Sequence, residues 1–393
     1  MSKNIPEIVV KTIRSIVGPG RHSLHEPFFF GNEWKYVKKT LDDNYVSSVG
    51  GFIKKFEDKL KNFTGSKYAI AVVNGTAALH LTMKACGIKN NEEVLVPTLT
   101  FIGTANAITY CGAIPHFIDC ELSTLGIDPI ALEKYLKKNT KKVGNSLINI
   151  KTKRKISAII PVHIFGNICQ IEKINQIAKK FNLIVIEDAA EALGTFLKKK
   201  HAGNFGIAGC ISFNGNKILT TGGGGAIITN NKKLSDKIRH LSTTAKINHS
   251  WEYIHDHVGY NYRMPNLNAA LGLAQVENLK KFLQSKRKLF AEYYKKFSNI
   301  DSIKILKEPE NSKSNYWLNS IILNKPSIKN RDKIIQLAKE NNIYLRPAWR
   351  PLHMLRPYRL MPSMPIKNAN VIYKSLINIP SSSFYFFNKK LLK

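Results

Sequence analysis

Between about Tyr68 and Asn230 the chain alternates short apolar runs with stretches whose apolar positions recur at helical spacing. That alternation predicts parallel strands joined by crossover helices. The strand candidates are Ala69 to Val73, Glu93 to Val96, Ile114 to Ile118, Ala158 to Val162, Leu183 to Glu187, Gly209 to Ser212 and Ala226 to Thr229. Helices are expected at Thr76 to Ala85, Phe101 to Tyr110, Pro129 to Lys138 and Ile171 to Phe181. The class is α/β with a mainly parallel central sheet, which places ligands at the carboxyl ends of its strands.

The flanks read differently. A helix from Ile5 to Val17 leads through Gly18-Pro19-Gly20 to an arm carrying Phe28-Phe29-Phe30, whose three aromatics call for a packing surface on the body or on a partner subunit. Phe52, Phe56, Leu60 and Phe63 mark another helix that Gly65 ends. Asn266 to Phe297 reads as one long helix, and a smaller α+β region follows, with strands at Trp317 to Leu323 and Ile343 to Arg346 around a helix at Lys329 to Glu340. The Lys-, Asn- and Thr-rich stretch Asn139 to Lys155 reads as a loop. The expected division is an N-terminal helix and arm (1–50), a large α/β domain (51–265) and a linking helix with a small α+β domain (266–393).

Composition changes this picture little. Apolar residues make up 44% of the 393, and no run is long enough for a spanning helix or a secretory signal, so a cytoplasmic protein without membrane insertion is expected. The five cysteines are an odd number without a C-x-x-C pair and read as reduced thiols. A net charge of +33 raises the prospect of a nucleic-acid partner. The lysines, however, are spread through helices and loops with Asn and Ile, which is compositional bias, and no nucleic-acid partner is expected. A positive field of that kind still helps to gather a diphosphate-linked substrate.

Four pieces carry candidate chemistry. Asn74-Gly75-Thr76-Ala77 opens a helix directly after a strand; small residues there leave backbone N–H groups and the Thr76 hydroxyl for an anion, or simply satisfy a tight turn. Val185-Ile186-Glu187-Asp188 runs an apolar strand into carboxylates, where Asp188 either caps a helix or pairs with the protonated pyridine nitrogen of a cofactor and keeps that ring an electron sink. Ser212-Phe213-Asn214-Gly215-Asn216-Lys217, with Gly222 to Gly225 behind it, sets a lysine in a small polar loop. That lysine either binds a phosphate as a point charge or forms an imine with an aldehyde, and the glycines imply close backbone approach or positive φ. Asn261 and Arg263, in Gly259-Tyr260-Asn261-Tyr262-Arg263, precede the long helix as caps, surface groups or site residues.

The order and spacing of these pieces, from the Gly50 region through Arg346-Pro347-Ala348-Trp349 and Pro351-Leu352-His353, resemble the DegT/DnrJ/StrS-type nucleotide-sugar aminotransferases, which are fold-type I pyridoxal-phosphate enzymes. The stretch Ser212 to Gly225 is the most diagnostic. The resemblance implies pyridoxal 5'-phosphate as cofactor, with Thr76 and Ala77 on its phosphate, Ser212 adding a hydroxyl, Phe101 stacking on the ring, Asp188 on the ring nitrogen and Lys217 as the Schiff-base lysine. Asn261 matches a residue that reaches the neighbouring subunit's cofactor phosphate, which implies a homodimer with shared active sites. Many members carry His or Gln at the position of Glu191, His at Asn214 and Glu at Gly223, so the sugar is less fixed than the chemistry.

Leu24-His25-Glu26-Pro27, Ser47-Ser48-Val49-Gly50 and Asn214 to Gly225 resemble the subgroup of legionaminic acid and bacillosamine pathways. That resemblance implies glutamate as amino donor and C4 of a UDP-linked 2-acetamido-2,6-dideoxy-4-hexulose as acceptor. Substrate contacts are expected from His163, Glu191, Arg346 and Trp349; His163 equally fits a satisfied core residue. Two rivals stand beside this reading. Related sugar dehydratases replace the Schiff-base lysine with histidine, whereas Lys217 is present here, and a basic nucleic-acid-binding or regulatory protein would lack the chromophore. No metal site is expected, because His249, His255 and His257 have no carboxylate or cysteine partner at a fixed helical offset.

Overall fold

A computed structural model describes residues 4–387. Its central sheet runs in the order Tyr68–Val72, Gly225–Thr229, Ala208–Ser212, Ile184–Asp188, Lys155–Ile159, Glu93–Pro97, Ile114–Ile118. The strands from Ala208–Ser212 to Ile114–Ile118 are parallel; Gly225–Thr229 is antiparallel to both of its neighbours. The expected strands are therefore present, Ile114–Ile118 with the expected bounds and the others with ends shifted by at most three residues, the largest shift being Lys155–Ile159 for Ala158 to Val162. Two apolar clusters cover the sheet. One contains Phe56, Leu95, Ile159 and Phe213, the other Val72, Val96, Ile160 and Ile186. Near-continuous apolar strands follow from burial on both faces.

Three expectations about elements are corrected. The stretch read as a loop forms a hairpin, Thr140–Val143 with Ser146–Asn149, which pairs with the start of Lys155–Ile159. The long helix is two helices, Asn266–Glu277 and Leu279–Phe297, broken at Asn278. The N-terminal arm contains a helix, Glu33–Asp42, in which only Glu33 and Thr40 are buried.

A second sheet, in the order Ile303–Ile305, Asn319–Leu323, Leu376–Ile379, Arg346–Pro347, builds the smaller lobe. The Trp317 end of one expected strand and the Ile343 end of the other lie outside these strands. The helix Ile5–Val17 buries Val9, Val10 and Ile13 in the same core as Tyr293, Phe297 and Ile321, so it packs with the C-terminal lobe. Phe28 and Phe30 lie against Phe282, Phe384 and Phe387 of their own chain, with ring centroids 4.3–6.2 Å apart, while Phe29 is exposed. No helix among the described residues is long and apolar enough to cross a membrane.

Candidate active site

The carboxyl ends of Tyr68–Val72, Ile184–Asp188 and Ala208–Ser212 surround a cavity of about 390 Å³ lined by Thr76, Asp188, Glu191, Ser212, Lys217 and Trp317 among others. The loop carrying Lys217 is held by its own backbone. Phe213 N donates to Gly224 O at 2.8 Å, Thr221 N to Phe213 O at 3.0 Å and Lys217 N to Asn214 O at 2.9 Å. The glycines have separate reasons. Gly222 has φ +78°, a Cβ on Gly224 would meet Thr221 Oγ1 at 2.1 Å, and one on Gly225 would meet backbone carbon of Asn74 at 2.5 Å. Gly223 has nothing within 4 Å and simply lines the cavity.

Lys217 Nζ lies 3.2 Å from Glu191 Oε1 and 3.7 Å from the centre of the Trp317 ring. Glu191 is fixed at its other oxygen, which accepts from Phe165 N at 2.9 Å. Trp317 is fixed by Nε1 donating to Asn216 O at 2.7 Å. Asp188 Oδ2 accepts from Thr104 Oγ1 at 2.8 Å and Oδ1 from Ala190 N at 3.1 Å. Burial pushes the carboxyls of both Asp188 and Glu191 up; Thr104 and Ala190 oppose this at Asp188, and Lys217 opposes it at both. Two carboxylates against one ammonium leave the lining one negative charge in excess. The buried Asp188 carboxylate has only a hydroxyl and a backbone N–H as hydrogen-bond partners and lines the cavity, so a protonated ring nitrogen would pair with it, and the lining fits a pyridinium cofactor.

The opposite end suits an anion. A Cβ on Gly75 would meet Ser212 Cβ at 3.0 Å and one on Gly103 would meet Thr76 Oγ1 at 2.9 Å. The Thr76 and Ser212 hydroxyls and the first turns of helices Gly75–Ala85 and Ile102–Tyr110 therefore meet at one place, with both helix dipoles directed at it. Phe101, the residue before the second helix, is 57% exposed and lines the cavity wall.

Other expected residues fall elsewhere. The Ala77 N–H, expected on the phosphate, donates instead to Asn74 Oδ1 at 2.7 Å as the helix cap, and Ala77 is not part of the Lys217 cavity lining. His163 is a satisfied core residue: Nε2 lies 2.9 Å from Glu187 Oε2, Nδ1 accepts from Cys169 N at 3.3 Å, and the ring is fully buried. Arg346 is exposed on its strand and outside the cavity lining. Trp349 does line the cavity, its ring 4.7 Å from Phe165. Asn261 is exposed, bridged to Thr243, and away from the Lys217 cavity of its own chain. Arg263 pairs with Glu57 at 2.6 Å.

Thr104 and Trp317 escaped the sequence reading, since neither lies in a motif and both arrive by tertiary packing. The histidine loop does meet a carboxylate: Asp256 Oδ1 lies 2.6 Å from His240 Nε2 and 3.0 Å from His257 Nδ1, a grouping that sequence spacing hides because His240 comes from a separate helix.

Comparison with known proteins agrees with this geometry. Residues 31–384 match the model of the DegT/DnrJ/EryC1/StrS aminotransferase family. The chain is 36% identical over 363 residues to GDP-perosamine synthase of Caulobacter vibrioides, covering 92% of this chain and 93% of that one. It is 31% identical over 346 residues to UDP-4-amino-4,6-dideoxy-N-acetyl-beta-L-altrosamine transaminase of Campylobacter jejuni, covering 88% of each. Among solved structures, the Helicobacter pylori aminotransferase PseC superposes with a TM-score of 0.85 over 95% of this chain and 96% of that one at 24% identity, which speaks for the fold. The chain belongs to the DegT/DnrJ/EryC1/StrS aminotransferase family and is a pyridoxal-phosphate-dependent aminotransferase.

Proposed function

We propose that this enzyme moves an amino group from glutamate to C4 of a nucleotide-linked 4-keto-6-deoxy sugar, in bacterial surface-glycan or nonulosonic acid synthesis. The observation that carries the reading is the placement of Lys217 Nζ between Glu191 and Trp317, in the cavity that also holds Asp188. Asp188 holds the proton on the ring nitrogen, Thr76 and Ser212 hold the phosphate, and Phe101 covers the ring. Bound there, the cofactor supplies an aldehyde to carry the amino group and a ring that draws negative charge from the reacting carbon. The Lys217 amine takes the proton from the amine-bearing carbon of glutamate and, in the reverse sense, delivers one to C4 of the sugar. Glu191 steadies that amine while it is charged. Water exclusion falls to Trp317 and Trp349.

Asn261, exposed and outside its own chain's cavity, is read as serving the partner's cofactor phosphate, which makes the working unit a homodimer. The presence of Lys217 favours transamination over the dehydration that a histidine there would support. Two sugar classes compete. The motif wording, and the Campylobacter relative, favour a UDP-linked 2-acetamido sugar; the higher identity to the GDP-perosamine synthase favours a GDP-linked sugar, which we take as the first to try. Incubation with glutamate and a panel of GDP-, UDP- and dTDP-linked 4-keto-6-deoxy sugars, read by mass, tests both. An aminated product is expected from one base class; no product with any 4-keto sugar overturns the substrate reading.

A further inference from the structure

The hairpin that precedes Asn261 is short and exposed. Only Lys246 with His255 and Ile247 with Ile254 pair across it, and Trp251, Tyr253 and Val258 are each 80% exposed or more. A two-stranded hairpin of this kind is marginal in water by itself, so it calls for a tether at its base.

Three side chains with metal-ligating atoms meet at that base. Asp256 Oδ1 lies 2.6 Å from His240 Nε2 and 3.0 Å from His257 Nδ1, and the three atoms fall within 4.8 Å of one another. The two rings stand nearly perpendicular, at 88°, with centroids 6.1 Å apart, and both turn a nitrogen to the same carboxylate oxygen. Among the described residues no other three His, Cys, Asp or Glu side chains bring ligand atoms this close.

The backbone assembles this trio without help from an ion. His240 stands on the helix Lys232–Ser242, whose Ile238 and Leu241 are buried in the apolar cover of the sheet and whose start is capped by Asn231 Oδ1 accepting from Leu234 N at 3.0 Å. The returning segment lies flush against the end of that helix. Tyr260 N donates to Leu241 O at 2.7 Å, Thr244 N donates to Tyr260 O at 3.1 Å, and a Cβ on Gly259 would meet backbone carbon of Thr244 at 2.2 Å. Asp256 and His257 are thereby carried to His240, and ligands held in advance by rigid elements are what a metal site needs.

Two imidazoles and one carboxylate suit zinc, which takes His nitrogen and Asp oxygen at about 2.0–2.2 Å in a tetrahedron, with water free to fill a fourth position. Ligand atoms around such an ion stand about 3.3 Å apart, so the two carboxylate–imidazole distances need to widen by only about 0.3–0.7 Å. Side-chain rotation supplies that, since all three groups are partly exposed. Hydrogen bonds among exposed ionisable groups contribute little to stability, and by themselves they fasten the hairpin weakly. An ion shared by the three fastens it firmly.

We propose that His240, Asp256 and His257 bind a zinc ion, with water completing the tetrahedron, and that the ion staples the return of the hairpin to the helix Lys232–Ser242. His249 and His255 take no part: His249 Nδ1 accepts from Glu252 N at 3.0 Å, and His255 Nδ1 lies 2.9 Å from Thr244 O. None of the three ligands lines the Lys217 cavity, so the site is structural and stands apart from the choice of sugar.

The test titrates zinc sulfate by calorimetry into chelator-stripped, cofactor-loaded protein: wild type, His240→Gln, His257→Gln and, as a control, His249→Gln. One zinc per chain is expected to bind wild type and His249→Gln in the micromolar range, and to bind His240→Gln and His257→Gln about tenfold or more weakly. Amide hydrogen exchange reads the staple: zinc should slow exchange across residues 246–257 in wild type and leave it unchanged in His240→Gln. No saturation of wild type below about 1 mM zinc, or equally tight binding in all four proteins, would overturn the site. Zinc bound at these residues without slower exchange in the hairpin would overturn the staple.

Discussion

Thr104 Oγ1 donates to Asp188 Oδ2 at 2.8 Å, and both side chains are buried. The hydroxyl stabilises the carboxylate that burial opposes. Thr104→Val removes this donor at nearly constant volume. Hydrogen bonds to charged groups contribute about 1.5–3 kcal/mol, so cofactor affinity in reconstitution titrations should fall about tenfold or more. Thr104→Ser should restore most of it, and equal affinity in all three proteins would show that Asp188 does not depend on this bond.

The glycine run predicts a contrast between neighbours. A Cβ on Gly225 would collide with backbone atoms of Asn74 and Gly75, which cannot turn aside. Gly225→Ala should therefore cost about 2–4 kcal/mol of stability, and Gly223→Ala less than about 1 kcal/mol. Chemical unfolding of the two variants checks this order.

His201 sets an acid limit. Its Nε2 accepts from Gly194 N at 2.8 Å, and burial lowers its pKa from 6.5 to about 4. The unfolded chain takes up a proton below pH 6.5 that the native ring refuses until about 4, so stability is present above that window and declines as pH falls through it. The loss attributable to this group is about 2–3 kcal/mol. Unfolding curves at pH 7 and pH near 4.5 should show it, with a flatter pH dependence for His201→Gln; parallel dependences would exclude His201 as a contributor.

Much of the frame was legible because strands buried on both faces read as short apolar runs, as at Val94 to Pro97 of Glu93–Pro97 and Ala226 to Ile228 of Gly225–Thr229. The hairpin Thr140–Val143 was not, since an edge strand rich in lysine has no buried face to leave a pattern. The helix Glu33–Asp42 hides for a related reason, with Trp34 81% exposed and two polar residues facing inward. At the site, Lys217, Asp188, Ser212 and Thr76 stand in local strand-end motifs and come together as expected. Thr104 and Trp317 join them only through packing of a helix and of the second lobe. His163 shows the reverse: its strand-end position looks functional, but Glu187 and Cys169 occupy both of its nitrogens.

Shared active sites have a mixing signature. If Asn261 serves the partner's cofactor, a Lys217→Ala chain and an Asn261→Ala chain together rebuild one intact site per mixed dimer. Equal mixing of the two variants after subunit exchange should raise activity to about a quarter of wild type, well above either alone. Activity equal to the average of the separate variants would place Asn261 outside the partner's site.

The central claim is that Lys217, among the many lysines of this chain, is the one that forms the imine. Borohydride reduction of the cofactor-loaded protein, followed by peptide mass mapping, fixes the cofactor to the lysine that holds it. The adduct is predicted on Lys217; an adduct on any other lysine, or a coloured protein that gives none, would contradict the account.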